Sequence, residues 1–147
     1  MVKEAYVSFE VAKLLKEKGF NGECNYYYRC HDEALIKYFP NPGTDDNRFH
    51  CTKTWIKKHA NRNHVEYILA PTHQMARDWL MEEKGIYLDV FIDDDSEMPW
   101  TYNIHKELRD GTTECVCHHH GNYYPLRTGY EEAVEAALIY TLEHLLK

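Results

Sequence analysis

The side chains with the clearest capacity for chemistry lie in the segment Glu114–Pro125, which reads ECVCHHHGNYYP. Cysteine and histidine are preferred zinc ligands in proteins. His118 and His120 would share one face of a strand, because side chains two residues apart on a strand point the same way. His105 lies on the preceding predicted strand. The three imidazoles therefore predict a zinc site with a fourth position open for water, as in a metal-dependent hydrolase.

The alternative is an ordinary strand whose cysteines point into the core, and the turn before it supports this interpretation. Asp110-Gly111 is typical of a two-residue hairpin turn, which would place Arg109 opposite Thr112. The pairs that follow from this register are Ile104 with Cys117, Tyr102 with His119, Asn103 with His118, His105 with Val116, and Lys106 with Cys115. Cys115 and Cys117 would then both point inward as small apolar residues, and the sequence favours this alternative over a metal site.

The elements that would position these residues follow one another in residues 71–147. The patterns predict a helix in PTHQMARDWLMEEKG capped by Thr72, strands in IYLDVFI, WTYNIHKEL and ECVCHHH, and a helix in TGYEEAVEAALIYTLEHLL. Short connections favour a three-stranded antiparallel meander with the helices packed on one face. This α-β-β-β-α order resembles the double-stranded-RNA-binding domain. That family contacts RNA at positions that here read DDDSEMP and TGYEEAVEAA, and these acidic segments would repel it.

Residues 1–70 give weaker patterns. SFEVAKLLKEKGF predicts a helix over residues 8–18, with Ser8 as its N-cap and Gly19 at its end. Residues 21–70 are predicted to be a loop-rich insert, in which CNYYYRC and FHCTKTWIKKH are read as short strands and DEALIKYF as a short helix. The whole chain, residues 1–147, is predicted to be one α+β domain, with the core in residues 71–147.

The charge is unevenly distributed along the chain. Residues 1–70 carry 11 Lys and Arg against 9 Asp and Glu, and residues 71–147 carry 6 against 15, so the net charges are +2 and −9. An anionic partner would therefore meet the N-terminal half. The candidate anion-binding patch groups basic side chains around one aromatic ring and consists of Lys53, Trp55, Lys57, Lys58 and Arg62. A weak nucleic-acid binder is one interpretation of it, and a charged surface segment is the favoured one.

Apolar side chains on the open face of the predicted sheet indicate a contact with another protein. Tyr87, Phe91 and Val116 would point away from the C-terminal helices, and exposed apolar patches usually mark interfaces. A protein partner or a second copy of the chain, forming a homodimer, would cover them.

The sequence contains no motif that identifies a reaction. Nucleophile elbow, phosphate-binding glycine loop and HExxH are all missing, so a non-enzymatic protein without a cofactor is favoured. No segment has the roughly 20 consecutive apolar residues of a membrane helix. The start MVKEAYVSFE has no apolar signal region, and the cysteine count of five is odd. These features favour a cytoplasmic protein with reduced thiols.

Three stretches together resemble small uncharacterised proteins of phages and mobile elements of gut Bacteroides-type bacteria. They are YVSFEVAKLLKEKGF, APTHQMARDWLMEEKGI and YEEAVEAALIYTLEHLL. The resemblance implies a cytoplasmic bacterial host and a phage accessory role. It assigns no activity and no catalytic residue, so the expected function is a binding or accessory protein that acts through protein–protein contacts.

Overall fold

The chain has an α+β fold. A computed structural model describes residues 5–39, 51–92, 100–119 and 129–146, with backbone only for residues 118–119. Within these residues it contains four α-helices and two small antiparallel three-stranded sheets. The chain divides into two compact units, Met1–Ala76 and Arg77–Lys147, called here the N-terminal and C-terminal units. None of the described helices combines the length and apolarity needed to cross a membrane.

The first helix confirms its prediction closely. Helix α1 spans Phe9–Glu17, and the hydroxyl of Ser8 accepts a hydrogen bond from the Val11 N–H at 3.2 Å. This bond satisfies one of the N–H groups that the first helical turn leaves unpaired. Gly19 has a φ of 91°, which permits the chain to leave the helix in a left-handed conformation.

Residues 21–70 are more regular than the sequence predicts. Strands β1 (Tyr26–Arg29) and β2 (Ala34–Lys37) precede helix α2 (Lys53–Asn63) and strand β3 (Tyr67–Ala70), and the strand order is β2-β1-β3. The prediction of a loop-rich insert is thereby corrected for the described residues. The strand predicted in CNYYYRC is confirmed as β1. The short helix predicted in DEALIKYF is strand β2, and the strand predicted in FHCTKTWIKKH is largely helix α2, so these two assignments were wrong.

Strand β1 is covered on both faces, which explains its lack of alternating polarity. The ring of Tyr28 contacts that of Phe9, the first residue of α1, at 5.6 Å, whereas the ring of Tyr27 contacts Trp55 of α2 at 5.3 Å. Neighbouring residues of a strand point to opposite faces. Helices α1 and α2 therefore lie on opposite faces of the N-terminal sheet.

The later elements confirm the predicted order. Helix α3 spans His73–Lys84, followed by strands β4 (Ile86–Ile92), β5 (Trp100–Glu107) and β6 (Thr113–His119), helix α4 (Tyr130–Tyr140) and a π-helical turn (Thr141–Leu145). The three strands form an antiparallel meander in the order β4-β5-β6. The core of the C-terminal unit includes apolar side chains that the sheet and α4 bury, namely Ile86, Leu88, Tyr102, Ile104, Val134 and Leu138.

The register between β5 and β6 agrees with the prediction at one end and departs from it at the other. Tyr102, Asn103 and Ile104 lie opposite His119, His118 and Cys117, as predicted. His105, however, lies opposite Cys115 rather than Val116, and Lys106 lies opposite Glu114 rather than Cys115. The predicted pairs of these two residues were wrong.

The turn explains both the error and its limited extent. Leu108 N donates to the Thr112 carbonyl at 2.7 Å, so three residues form the turn, and Gly111 ends it with a φ of 86°. The longer turn shifts the pairing by one residue. A β-bulge at Val116 adds one unpaired residue to β6 and restores the predicted register beyond it. Cys115 consequently shares a row with His105 instead of pointing inward beside Cys117.

Candidate protein-binding groove

The predicted zinc ligands fall only partly within the described residues. His105 is half-buried in β5, between Tyr87 of β4 and Cys115 of β6. The backbone of His118 pairs with Asn103, and the side chain of His118 and all of His120 lie outside the description. No group of three or more ligand side chains occurs among the residues whose side chains are described. The zinc site stays a prediction, and the bulge adds a cross-strand Cys115–His105 pair that the sequence did not indicate.

The predicted partner surface is half-buried. Tyr87 and Phe91 lie on β4 opposite His105 and Thr101, and Val116 is the residue that forms the bulge in β6. Their exposure is intermediate, whereas Ile86 and Leu88 of the same strand are buried. The alternation of exposure along the start of β4 agrees with the assignment of faces. A contact through this surface stays a prediction.

The predicted anion-binding patch lies on α2, and its aromatic residue belongs to an internal cluster. Lys53, Lys57, Lys58 and Arg62 are exposed, and α2 contains no acidic residue. The indole of Trp55 stacks on His59, with ring centroids 4.6 Å apart and an interplanar angle of 20°. It also contacts Tyr27 and Tyr38. These contacts engage the ring with the protein itself, so α2 presents cations without the exposed aromatic platform that binds bases.

A groove with apolar walls lies along β3. It is open to solvent on one side, and the empty space in and immediately above it is about 340 Å³. Two lysines contribute to it, Lys16 from α1 and Lys53 from α2. Its other lining residues are largely buried and are Ala12, Phe20, Ile56, Tyr67, Ile68 and Leu69. These eight residues define the β3 groove.

The main chain of β3 presents alternate polar groups to this groove. Cys30 N donates to the Glu66 carbonyl at 3.0 Å, so Glu66 directs its polar groups toward β1. Because these directions alternate along an antiparallel strand, Ile68 and Ala70 also face β1, and Tyr67 and Leu69 face away from it. Strand β3 is at the end of the sheet. The N–H and C=O groups of Tyr67 and Leu69 therefore lie along the outer edge.

The outer edge is closed on either side of these two residues. Val65 N donates to the Ala60 carbonyl of α2 at 3.3 Å, and Val7 N donates to the Pro71 carbonyl at 3.0 Å. Between them, no strand of the described part of the chain pairs with the outer edge at Tyr67–Leu69. The result is a main-chain window three residues long, bounded by α1 on one face of the sheet and α2 on the other.

The two lysines lie at opposite ends of the window. Lys16 Nζ bonds to Glu66 Oε1 at 2.6 Å, just before β3 begins. The end of α2 lies at the same end of β3, because the Ala60 carbonyl binds Val65, so Lys53 at the start of α2 lies toward the other end. Lys53 is exposed and has no ion-pair partner among the described residues. The groove therefore has an apolar centre, the exposed cation of Lys53 toward one end and the Lys16–Glu66 ion pair at the other.

A pair of buried cysteines anchors the start of α2 and thereby the position of Lys53. Cys24 and Cys51 exchange two main-chain hydrogen bonds, of 3.0 and 2.8 Å, and both thiols are free. The Cys51 thiol donates to the Cys24 carbonyl at 2.9 Å. Burial raises the pKa of the Cys51 thiol to about 12 and also raises the pKa of Cys24, which the neighbouring Cys51 raises further.

These two thiols are expected to resist alkylation in the folded protein. With a pKa of about 12, about one Cys51 molecule in ten thousand is a thiolate at pH 8, and only the thiolate reacts. We expect iodoacetamide to label Cys24 and Cys51 at least 100-fold more slowly than the half-buried Cys115, as measured by mass spectrometry of timed samples. In urea the three rates should converge. Equal rates in the native protein would contradict the burial of the Cys24 and Cys51 thiols.

The residue patterns did not predict the β3 groove, although one of them is typical of the strand that lines it. The run YILA over residues 67–70 is short and wholly apolar, which is typical of a strand buried on both faces. The other walls come from α1 and α2, which are distant in sequence. Comparison of the chain with protein-family models, curated proteins and solved structures gave no match.

Proposed function

We propose that the protein is a non-enzymatic binding protein that acts through protein–protein contacts, and that the β3 groove is its contact surface. The main observation in support is the open main-chain window at Tyr67–Leu69. On either side of it, the outer edge of β3 is already hydrogen-bonded, at Val65 and at Pro71. Buried main-chain N–H and C=O groups are nearly always paired in proteins. A partner's polar groups in the groove would pair those of Tyr67 and Leu69.

The composition of the groove further supports a protein partner. Protein interfaces combine an apolar centre with a polar rim, and here the buried side chains of Ile56, Ile68 and Leu69 contribute to the centre while Lys16 and Lys53 contribute charge. A zinc hydrolase and a nucleic-acid binder remain the alternatives. The first depends on His105, His118 and His120, and the second on the cations of α2.

A charge reversal within the groove is expected to weaken binding, and a matched reversal outside it is not. Peptides selected from a random phage-displayed library against the full chain serve as the probe. We expect Lys53→Glu to weaken their binding about three- to tenfold, because a favourable charge becomes a repulsive one at the end of the groove. Fluorescence polarisation of the labelled peptides measures the change.

Lys58→Glu is the control for this experiment. Lys58 lies on the same helix and is exposed, but it does not line the groove. Its reversal changes the net charge equally and should alter peptide affinity less than twofold. If the library yields no binder, or if the two variants weaken binding equally, the β3 groove is not the contact surface. Tight, salt-sensitive binding of DNA or RNA that both reversals weaken would favour the nucleic-acid alternative.

A further inference from the structure

We infer that the occupant of the β3 groove is an extended acidic peptide segment, which adds to the N-terminal sheet as a fourth strand beside β3. This inference rests on the proposed function and specifies the partner and its mode of binding. An extended peptide can add to an exposed sheet edge through main-chain hydrogen bonds, while pockets select its alternate side chains. The β3 groove combines such an edge with such pockets.

The hydrogen-bonding groups of the window fix where the added strand would pair. Tyr67 and Leu69 each present one N–H and one C=O to the groove, as their pairing with β1 requires. An added strand has the same rise as β3, about 3.3 Å per residue, so the three-residue window pairs with about three peptide residues. The closed edges at Val65 and Pro71 limit the pairing to this length. Every second peptide residue would bond to β3.

An extended segment of the chain itself already pairs with the same edge, just beyond β3. Tyr6 forms an antiparallel bridge with Thr72, where Val7 N donates to the Pro71 carbonyl and His73 N donates to the Ala5 carbonyl at 2.9 Å. After Val7 the chain turns into α1 and leaves the edge. A bound peptide would continue the line of the segment 5–7 along β3.

The positions of the lysines predict the sequence of the peptide. Lys16 and Lys53 lie at opposite ends of the window and on helices that cover opposite faces of the sheet. Residues separated by an odd number of positions point to opposite faces of a strand. Acidic residues three positions apart, with two apolar residues between them, would therefore reach both lysines. Glu-Val-Val-Glu is the simplest such segment.

A second copy of β3 is a poorer occupant than an acidic segment. The residues that line the groove include two lysines and no carboxylate, and the nearby Glu66 is already paired with Lys16. Two β3 edges brought together would therefore leave Lys53 of each protomer without a carboxylate from the facing groove, whereas an acidic segment supplies one. The charge of the groove thus favours an acidic partner over self-pairing through this edge.

The test uses the full chain and a fluorescent peptide, Ser-Gly-Glu-Val-Val-Glu-Gly-Ser, with four variants that each carry one N-methyl group in the central segment. N-methylation removes one N–H donor and leaves the side chain unchanged. We expect two alternate N-methyl peptides to bind at least tenfold more weakly than the parent and the other two to bind within about threefold. Exchange of both Glu for Lys should abolish binding to the wild type and restore it to the Lys16→Glu, Lys53→Glu variant.

The outcomes separate this inference from the proposed function. If the peptide binds but all four N-methyl variants behave alike, strand addition is wrong and the groove remains a protein-binding surface. If the acidic peptide fails to bind while Lys53→Glu still weakens the binding of phage-selected peptides, the groove binds protein but its partner is not an acidic segment of this kind. If neither kind of peptide depends on Lys53, both proposals fail. A dimer that Lys53→Glu stabilises would indicate self-pairing and also overturn the inference.

Discussion

Replacement of Ile104 by alanine is expected to lower the free energy of unfolding by about 2–5 kcal/mol, which is the usual cost of removing a large buried aliphatic side chain. Ile104 is 0% exposed and lies at the centre of the β4-β5-β6 sheet, opposite Leu88 on one side and Cys117 on the other. The substitution removes apolar contacts and leaves a cavity that the paired strands close only in part. Urea denaturation followed by circular dichroism measures the change.

Lys106→Ala is the matched control for this prediction. Lys106 lies two residues further along β5 and is exposed, so its truncation should change stability by no more than about 0.5 kcal/mol. If Ile104→Ala costs no more than Lys106→Ala, the described packing of this sheet is incorrect. Because the chain has two compact units, hydrogen exchange should locate the loss in β4–β6.

The same sheet shows how far residue patterns determine the fold. The alternation in β4 and β5 predicted both strands and their inward faces, and β4 is found at the predicted residues, Ile86–Ile92. The pairing of Ile104 with Cys117 was also predicted. The pattern could not distinguish a two-residue turn from a three-residue turn, because Asp110-Gly111 is compatible with both. It could not predict the bulge at Val116, which depends on how the two strands fit together.

Of the N-terminal sheet, only β1 was predicted, as the strand in CNYYYRC, and β2 and β3 were not predicted as strands. Strand β3 is buried along its whole length and has no polar side, so Tyr67–Ala70 lacks the alternation that identifies strands. The β3 groove was missed because its residues come together only after α1, α2 and β3 have packed. The sequence predicted Lys53 as one cation of an anion-binding patch. Its position beside an open strand edge follows only from the tertiary fold.

Tyr28→Phe is the second substitution with a large expected effect. It removes a hydroxyl that lies where segment 5–7 pairs with the β3 edge at Pro71. Tyr28 Oη donates to the buried Val7 carbonyl at 2.6 Å. In an antiparallel pair this carbonyl would accept the N–H of residue 71, but Pro71 has none. Tyr28→Phe leaves the carbonyl unpaired, so we expect a loss of about 1–3 kcal/mol in the free energy of unfolding.

Tyr26→Phe is the matched control, because Tyr26 lies on the same face of β1 and contacts the ring of Tyr6 at 4.4 Å through its own ring. It should change stability by no more than about 0.5 kcal/mol. Hydrogen exchange gives a local readout: in Tyr28→Phe the amides of Val7 and His73, which donate across the Tyr6–Thr72 bridge, should exchange faster than in Tyr26→Phe. Equal exchange in the two variants would mean that the hydroxyl does not hold the segment 5–7 on the sheet. Faster exchange would show that one phenol hydrogen bond maintains the limit of the main-chain window at Pro71.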